Sequence, residues 1–372
     1  MASVPSIAFY CPQAAALFRP GSGIPHGGAE LDIYYLARAF ARVPGWSVHV
    51  LVARWPGAGS ASVVEPDGVV LHPFYAPGVR ANAVAVPWRA ASVLRRIRPD
   101  VVVQGAAGAE TGFLAAWARW SGARFVYRVA HDIDCTREYQ AWSPVRGRLF
   151  RLGLRRAHLV LALTARQRDL LRRHEGIASE VFPYAHPPID LPPAPRAARR
   201  HVLWIGRFEP WKRPELVLEL ARRLPHVAFR LVGGLDNPVG RATLAGAAGL
   251  GNVELPGRIE FTATPPEFAG AVALVNTSTY EGYPHAFLQA LRAGTPLATL
   301  DVDPDGTLAA GAHGQCAAGS IDALAAYVDR LWRDASAFDA AAHAAQAHFA
   351  AHHDLARLAP ALAARLADLV RR

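Results

Sequence analysis

Lysine is almost absent from this chain: of its 40 basic residues only Lys212 is a lysine. Methionine occurs once and cysteine three times in 372 residues. Cys11, Cys135 and Cys316 stand far apart, odd in number and without metal-ligand spacing. That spacing argues against a disulfide framework and favours a reducing cytoplasm. Long apolar runs are missing too. The longest, such as His158–Leu163, have the length of a strand, far short of the roughly 18 residues of a membrane span. Met1–Tyr10 lacks the basic start and extended apolar stretch of a secretory signal. Charged residues are sparse at 19% against 52% hydrophobic, which excludes global disorder and allows a large core. The length suits two domains.

What charge there is lies unevenly. Residues 1–185 hold 22 Arg against 12 acidic residues, whereas residues 186–372 hold 18 basic and 18 acidic. A high-GC codon bias toward Arg would raise the total but would not divide it between halves. A basic half points to a polyanionic partner, either nucleic acid or an anionic membrane. No stripe of interleaved aromatic and basic residues supports nucleic acid. Two segments, Val145–Arg156 and Trp88–Arg98, do interleave Arg with large apolar residues, as a helix lying on an anionic leaflet would; a solvated Arg-rich face reads the same way.

The hydrophobic pattern alternates short strands with helices. Ser6–Tyr10 reads as a strand, followed by a glycine- and proline-rich loop and a helix over Ala29–Val43. Further strands follow at Ser47–Ala53, Val69–Phe74, Asp100–Gln104, Arg124–Val129 and His158–Thr164, with helices at Trp88–Ile97 and Thr111–Trp120. Strands apolar on both faces belong to parallel sheets covered by helices on both sides. Pro183–Arg200 contains six prolines and reads as a linker. The rhythm restarts at His201–Gly206 and runs to a helical region over Asp322–Arg372. The expected fold is α/β: two Rossmann-like domains facing a central cleft, with a helical C-terminal region. The boundaries are 1–185 for the N-terminal domain, 186–200 for the linker, 201–352 for the C-terminal domain and 353–372 for a last helix that packs back on the first domain.

Four stretches could carry chemistry. His26-Gly27-Gly28-Ala29-Glu30 puts two glycines before a helix N-terminus, where backbone N–H groups can meet a phosphate; plain turn chemistry uses such glycines as well. Gly206–Pro214 (GRFEPWKRP) follows a strand and precedes a helix, and its Arg207 and Lys212 could converge on one diphosphate, or be two solvated cations. Ser278–Leu291 (STYEGYPHAFLQAL) holds Glu281 and Gln289; eight residues of helix would separate them by about 12 Å, enough to grip two parts of an elongated ligand. Arg128–Asp132 (RVAHD) ends a strand with His131, a residue more often structural than catalytic at such a place.

In their order and spacing these stretches resemble the retaining glycosyltransferases of family 4, most closely over Val202–Leu300 and less so in the N-terminal half. The resemblance implies the GT-B fold and transfer of a sugar from a nucleotide-sugar donor, UDP- or GDP-linked, to an acceptor hydroxyl of a glycan, polysaccharide or glycolipid. It implies retention of configuration, no metal ion and no cofactor beyond the donor. Arg207 and Lys212 would hold the diphosphate, and Gly27 and Gly28 would approach it. Glu281 would contact the sugar hydroxyls, with backbone groups of Gly282, Tyr283 and Pro284 at the sugar and phosphate. His131 would lie beside the sugar, and Arg258 and Ile259 would flank the base. Gln289 stands where the family carries a second Glu for the ribose, which weakens that contact by about 1 kcal/mol. The same fold also serves nucleotide-sugar epimerases and phosphorylases, and a non-catalytic nucleotide binder is the remaining alternative. The expected location is the cytoplasm, including the inner face of the membrane.

Overall fold

The computed structural model describes residues 4–24, 26–77, 82–189 and 193–371. The chain divides into two compact units. One runs up to Pro187 and takes in the segment from Leu355 onward; the other is Pro188–Asp354.

The first unit is built on β1 (Ser6–Tyr10), β2 (Ser47–Ala53), β3 (Val63–Val64), β4 (Val70–Tyr75), β5 (Val101–Gly105), β6 (Arg124–Arg128), β7 (Leu159–Ala162) and β8 (Glu180–Val181). Their order in the sheet is β3-β4-β2-β1-β5-β6-β7-β8, parallel throughout except that β3 runs antiparallel to β4. Alternate residues of β1 serve opposite faces, as the two-residue period of a strand requires. Ile7 and Phe9 join a core with the helix Gly28–Phe40, while Ala8 and Tyr10 join a second core on the other face with residues of the helices Asn82–Ile97, Glu110–Ser121 and Pro144–Arg155. Both faces are covered, so the strands read as continuous apolar runs.

The helix Leu355–Arg371 belongs to this unit. Leu355, Ala359, Leu362, Leu366 and Leu369 recur at helical spacing and share the core of Ile33, Leu36 and Phe40. Arg365 adds a forked pair to Glu180, and the Leu355 N–H donates to His186 O at 3.0 Å. The crossover residue Asp354 ends the second unit, so the change of unit falls after it and not at position 353.

The second unit carries β9 (His201–Ile205), β10 (Phe229–Val232), β11 (Val253–Gly257), β12 (Ala271–Asn276), β13 (Leu297–Thr299) and β14 (Gly314–Cys316). All are parallel, in the order β11-β10-β9-β12-β13-β14. Numbered within the unit this is 3-2-1-4-5-6, the doubly wound dinucleotide-binding order. Its strand order reverses between β9 and β12, and in such sheets the ligand crevice lies outside the carboxyl ends of those two strands.

The proline-rich stretch is not a passive linker. His186 is fully buried against the ring of Tyr35, with centroids 4.7 Å apart, and the unit boundary falls just after it, at Pro187. From Pro193 onward the stretch is integral to the second unit. The guanidinium of Arg199, 2% exposed, donates to the carbonyls of Phe268, Ala271, Ala293 and Gly294 and to the Thr295 hydroxyl. Arg196 donates to Leu331 O and Trp332 O at the end of the helix Ile321–Arg333. Arginine supplies here the packing that composition seemed to deny. Residues 190–192 of the stretch lie outside the described residues.

Candidate active site

The loops that follow β9 and β12 hold the two most specific motifs, and the strand order makes them neighbours. Backbone and side-chain bonds join one to the other. Thr279 N donates to Trp211 O at 2.8 Å, the Thr277 hydroxyl donates to Lys212 O at 2.6 Å, and Arg213 Nε donates to Thr277 O at 2.6 Å. The rings of Trp211 and Tyr280 stack, with 15° between their planes. Beneath them Trp204, on β9, donates its indole N–H to the Thr277 hydroxyl.

Two side chains of opposite charge meet on this frame. Lys212 closes a short 3-10 turn, Pro210–Lys212, and its ammonium pairs with Glu281 Oε1. The same carboxylate oxygen accepts a hydrogen bond from Ser278 Oγ at 2.7 Å. Both side chains are largely covered, at 19% and 14% exposed. Arg207 is different: its side chain is 75% exposed, loosely paired with Glu209 at 4.0 Å and lying over the Trp211 ring. Of these two cations, Lys212 is covered and Arg207 lies open to solvent.

Arg213 was not singled out by sequence. It sits at φ 47°, in the left-handed region, and its guanidinium pairs with Asp301 after β13 while donating to Thr277 O and Ser278 O. A non-glycine residue with that backbone is strained, so the bonds its side chain makes hold it there. The available signal was a cation immediately after Lys212 and immediately before the helix-opening Pro214.

Glu281 and Gln289 are not on one helix. The helix is His285–Arg292, and Glu281 precedes it by four residues, so a helical rise does not set their separation. Gln289 accepts from the Thr264 hydroxyl at 3.1 Å through Oε1, which leaves its amide N–H groups for other partners. Tyr283 turns its side chain inward: the ring is 8% exposed, its hydroxyl lies 2.8 Å from His353 Nε2, and burial raises its phenol pKa. Its backbone and that of Gly282 and Pro284 form the bend before the helix. Arg258 and Ile259 follow β11 at the edge of the sheet, two strands from β9, with Arg258 exposed.

In the first unit Gly27 and Gly28 open the helix Gly28–Phe40, with the Gly27 N–H taken by Glu30 Oε2 at 2.7 Å. A Cβ on Gly27 would meet that carboxylate at 3.3 Å, so the cap and not a tight backbone asks for a small residue. His131 caps the 3-10 turn Asp132–Cys135 after β6, its Nδ1 accepting from Ile133 N at 3.3 Å. That bond places a neutral ring's proton on Nε2. The loop is pinned by Asp134, whose carboxylate accepts from Ala130 N (2.8 Å), His131 N (3.2 Å) and the Tyr127 hydroxyl (3.0 Å); burial nevertheless lifts the Asp134 pKa.

Sequence reasoning missed one further pair. Asp32 and Arg128 are both buried and bonded to each other, Arg128 also donating to Phe182 O and Pro183 O at 3.0 and 3.1 Å. Burial pushes the Asp32 carboxyl up, and the guanidinium pulls it partly back. The pair anchors the helix that begins at Gly28 to β6, three residues before His131.

The comparisons with known proteins agree with this architecture. Residues 26–192 match the model of Glycosyltransferase Family 4, and residues 199–334 match that of the Glycosyl transferases group 1. No curated protein matches the sequence significantly. Among solved structures, sucrose-phosphate synthase from Thermosynechococcus elongatus superposes with a TM-score of 0.77 at 16% identity, covering 98% of this chain and 99% of that one. The lipopolysaccharide outer core galactosyltransferase WaaB gives 0.64 at 15% identity, covering 98% and 99%. The pneumococcal O-GlcNAc transferase GtfA, solved with UDP and GlcNAc, gives 0.58 at 14% identity, covering 76% and 60%. Identities this low show a shared fold. With a glycosyltransferase model matched on each of its two sheets, the protein is a glycosyltransferase built from the two Rossmann-type domains of the GT-B class.

Proposed function

We propose that this protein transfers a sugar from a nucleotide-sugar donor to a hydroxyl of a glycan, polysaccharide or lipid-linked acceptor, with retention of configuration and without a metal ion. The observation that carries the reading is the Lys212–Glu281 pair, fixed by the bonded loops of β9 and β12 where the strand order reverses. A diphosphate there meets the Lys212 ammonium and the exposed Arg207 guanidinium. The bond from the anomeric carbon to the diphosphate oxygen breaks, and one to the acceptor oxygen forms; the acceptor's proton leaves with the diphosphate. Negative charge grows on the leaving oxygen, and the Lys212 ammonium, held on the bonded loops, stabilises it. Glu281, freed from Lys212 by the incoming phosphate, is then available to sugar hydroxyls. The N-terminus of the helix His285–Arg292 adds partial positive charge beside the loop. For Gly27, Gly28, His131, Arg258 and Ile259 the assignment rests on the family resemblance, as does a GDP donor; a UDP donor has the further support of a neighbour solved with UDP.

The test is a thermal-shift series over UDP, GDP, ADP and dTDP, followed by turnover of the matching nucleotide sugar. A nucleotide at 100 times its dissociation constant adds about 2.7 kcal/mol of stability. Stabilisation by one nucleotide together with release of its sugar supports the reading; no response to any of the four removes it.

We infer further that the enzyme works at an anionic membrane surface. No helix among the described residues is long and apolar enough to cross a membrane. On the helix Pro144–Arg155, however, Val145, Leu149 and Leu152 point outward at 70%, 42% and 43% exposure, flanked by Arg146, Arg148 and Arg155. The helix is held close by Gly153, where a Cβ would strike the backbone of Thr111 at 2.4 Å. Each cation near such a surface contributes about 1 kcal/mol. Sedimentation with liposomes, with and without anionic lipid, tests it; binding that ignores lipid charge at low salt removes it.

A further inference from the structure

The N-terminal unit contains a cavity of about 600 Å³ at the amino ends of β5 and β6, the end of the sheet opposite to His131. Its size is that of a small-molecule site. Arg95, Arg98 and Arg124 line it, and among the described residues none of the three guanidinium groups has an ion pair or hydrogen bond. The carboxylate among the lining residues, Asp100, is already engaged: it accepts from Ser6 N at 2.7 Å and from Ser6 Oγ at 3.2 Å. The wall therefore carries three guanidinium groups against one carboxylate, a net positive charge.

Arg98 gives a second, independent sign. It follows the helix Asn82–Ile97, donates its N–H to Leu94 O at 2.8 Å and has φ 52°. This closing position of a helix ordinarily takes glycine, and any side chain there is strained. A strained cation with no partner on a cavity wall is the kind of outlier from which a binding role is inferred. Aromatic surface completes the cavity. Trp120 stands at it 72% exposed, and the buried indole N–H of Trp117, also a lining residue, has no hydrogen-bond partner among the described residues.

We propose that this cavity binds a short anionic oligosaccharide. The guanidinium forks of Arg95, Arg98 and Arg124 match carboxylate or phosphate groups, and the flat face of Trp120 takes the C–H side of a pyranose ring. A concave site with forked donors suits discrete anionic groups on a small ligand better than the flat surface of a bilayer. In a glycosyltransferase such a site holds a charged glycan chain away from the strand ends that carry the motif loops.

Calorimetric titration of the full chain with trigalacturonate, glucose 6-phosphate, maltotriose, inorganic phosphate and phosphatidylglycerol vesicles tests the assignment. At least one of the two charged sugars should bind ten times or more tightly than maltotriose and inorganic phosphate, the choice between them telling carboxylate from phosphate. Trp120→Ala and Arg98→Gly should each weaken it at least tenfold. Arg98→Gly suits the left-handed backbone, so its melting temperature should hold or rise and the lost binding cannot be ascribed to unfolding. Lys212→Ala should leave this binding unchanged. Equal affinity for maltotriose, parental affinity in both cavity variants, loss of binding in Lys212→Ala, or binding to the vesicles alone would each overturn the proposal.

Discussion

Lys212→Ala is the most informative single change, because the structure separates its two consequences. The ammonium is paired with Glu281 in a setting 19% and 14% exposed, so its removal leaves a carboxylate still bonded to Ser278 and still in reach of water. A pair of that kind contributes about 1 kcal/mol to stability, which corresponds to a fall of roughly 2–4 °C in melting temperature for a unit of this size. The catalytic loss should be much larger. Removing one donor aimed at a developing oxyanion costs about 2.7–4 kcal/mol, or roughly a hundred- to a thousandfold in kcat. An interaction that strengthens in the transition state lowers kcat more than it raises KM for donor. Lys212→Arg should recover part of the rate, since a planar fork does not reproduce a compact charge beside Glu281. Steady-state kinetics on both variants, with melting curves run alongside, measure the two effects. Unchanged kcat in Lys212→Ala would refute the diphosphate assignment. A loss of kcat accompanied by a melting drop of tens of degrees would mean that the lysine only holds the loop.

Glu281→Ala should abolish transfer, but because Glu281 also anchors Lys212 it should disturb nucleotide binding as well; Glu281→Gln, which keeps the Ser278 bond, should abolish transfer with nucleotide affinity within a few-fold of the parent, read by calorimetry. Gln289→Glu should tighten the donor nucleotide about fivefold, the equivalent of about 1 kcal/mol, while Thr264 continues to donate to it; an unchanged affinity would detach position 289 from the ribose. Arg199→Met should destabilise the protein by about 3 kcal/mol, because a group of buried carbonyls and the Thr295 hydroxyl lose their donor; a melting shift under 2 °C would contradict that accounting. The buried imidazole of His313 and the half-buried one of His348 stack with centroids 4.0 Å apart; burial, reinforced by His313, His353 and His352, lowers His348 to about 3, while Asp303 partly opposes the shift at His313. Folded pKa values below the unfolded 6.5 mean that the unfolded chain binds more protons, so stability should fall as pH drops below 6.5, by up to about 1.4 kcal/mol per pH unit for each proton. Replacing His348 with Gln should flatten melting temperature against pH between 6.5 and 4.

Much of the architecture was legible because parallel strands covered on both faces leave an unambiguous trace. Ser6–Tyr10 and Ser47–Ala53 are mostly apolar on both faces, and each is followed by glycine or proline before the next helix. Elements with mixed composition were harder. The helix Ala165–Glu175 (ARQRDLLRRHE) buries only Gln167, Leu170, Leu171 and Glu175, so its apolar trace is too thin to stand out. The prolines of Pro183–Arg200 suggested a free linker, yet a proline-rich chain packs well when an arginine within it ties it to buried carbonyls of the neighbouring elements. Arg199 does so, and nothing in its neighbours PRAARR marks it out from Arg196 or Arg200.

The site was legible in its residues and illegible in its wiring. Arg207, Lys212, Glu281 and Gln289 stood out by type and by place after strands, but local sequence cannot say that Glu281 pairs with Lys212, 69 positions away. That contact depends on β9 and β12 being adjacent, and adjacency follows from the 3-2-1-4-5-6 order and not from any residue in either loop. Once the order is known, the remaining choices fall into place. The loops must bond to each other to hold a lysine and a carboxylate together, and Thr277, Ser278 and Arg213 do this with side chains and a left-handed backbone that no helix or strand would use. Residues that were invisible as chemistry therefore set the geometry of those that were visible, and variants at Arg213 or Thr277 belong with those at Lys212 in any dissection of the site.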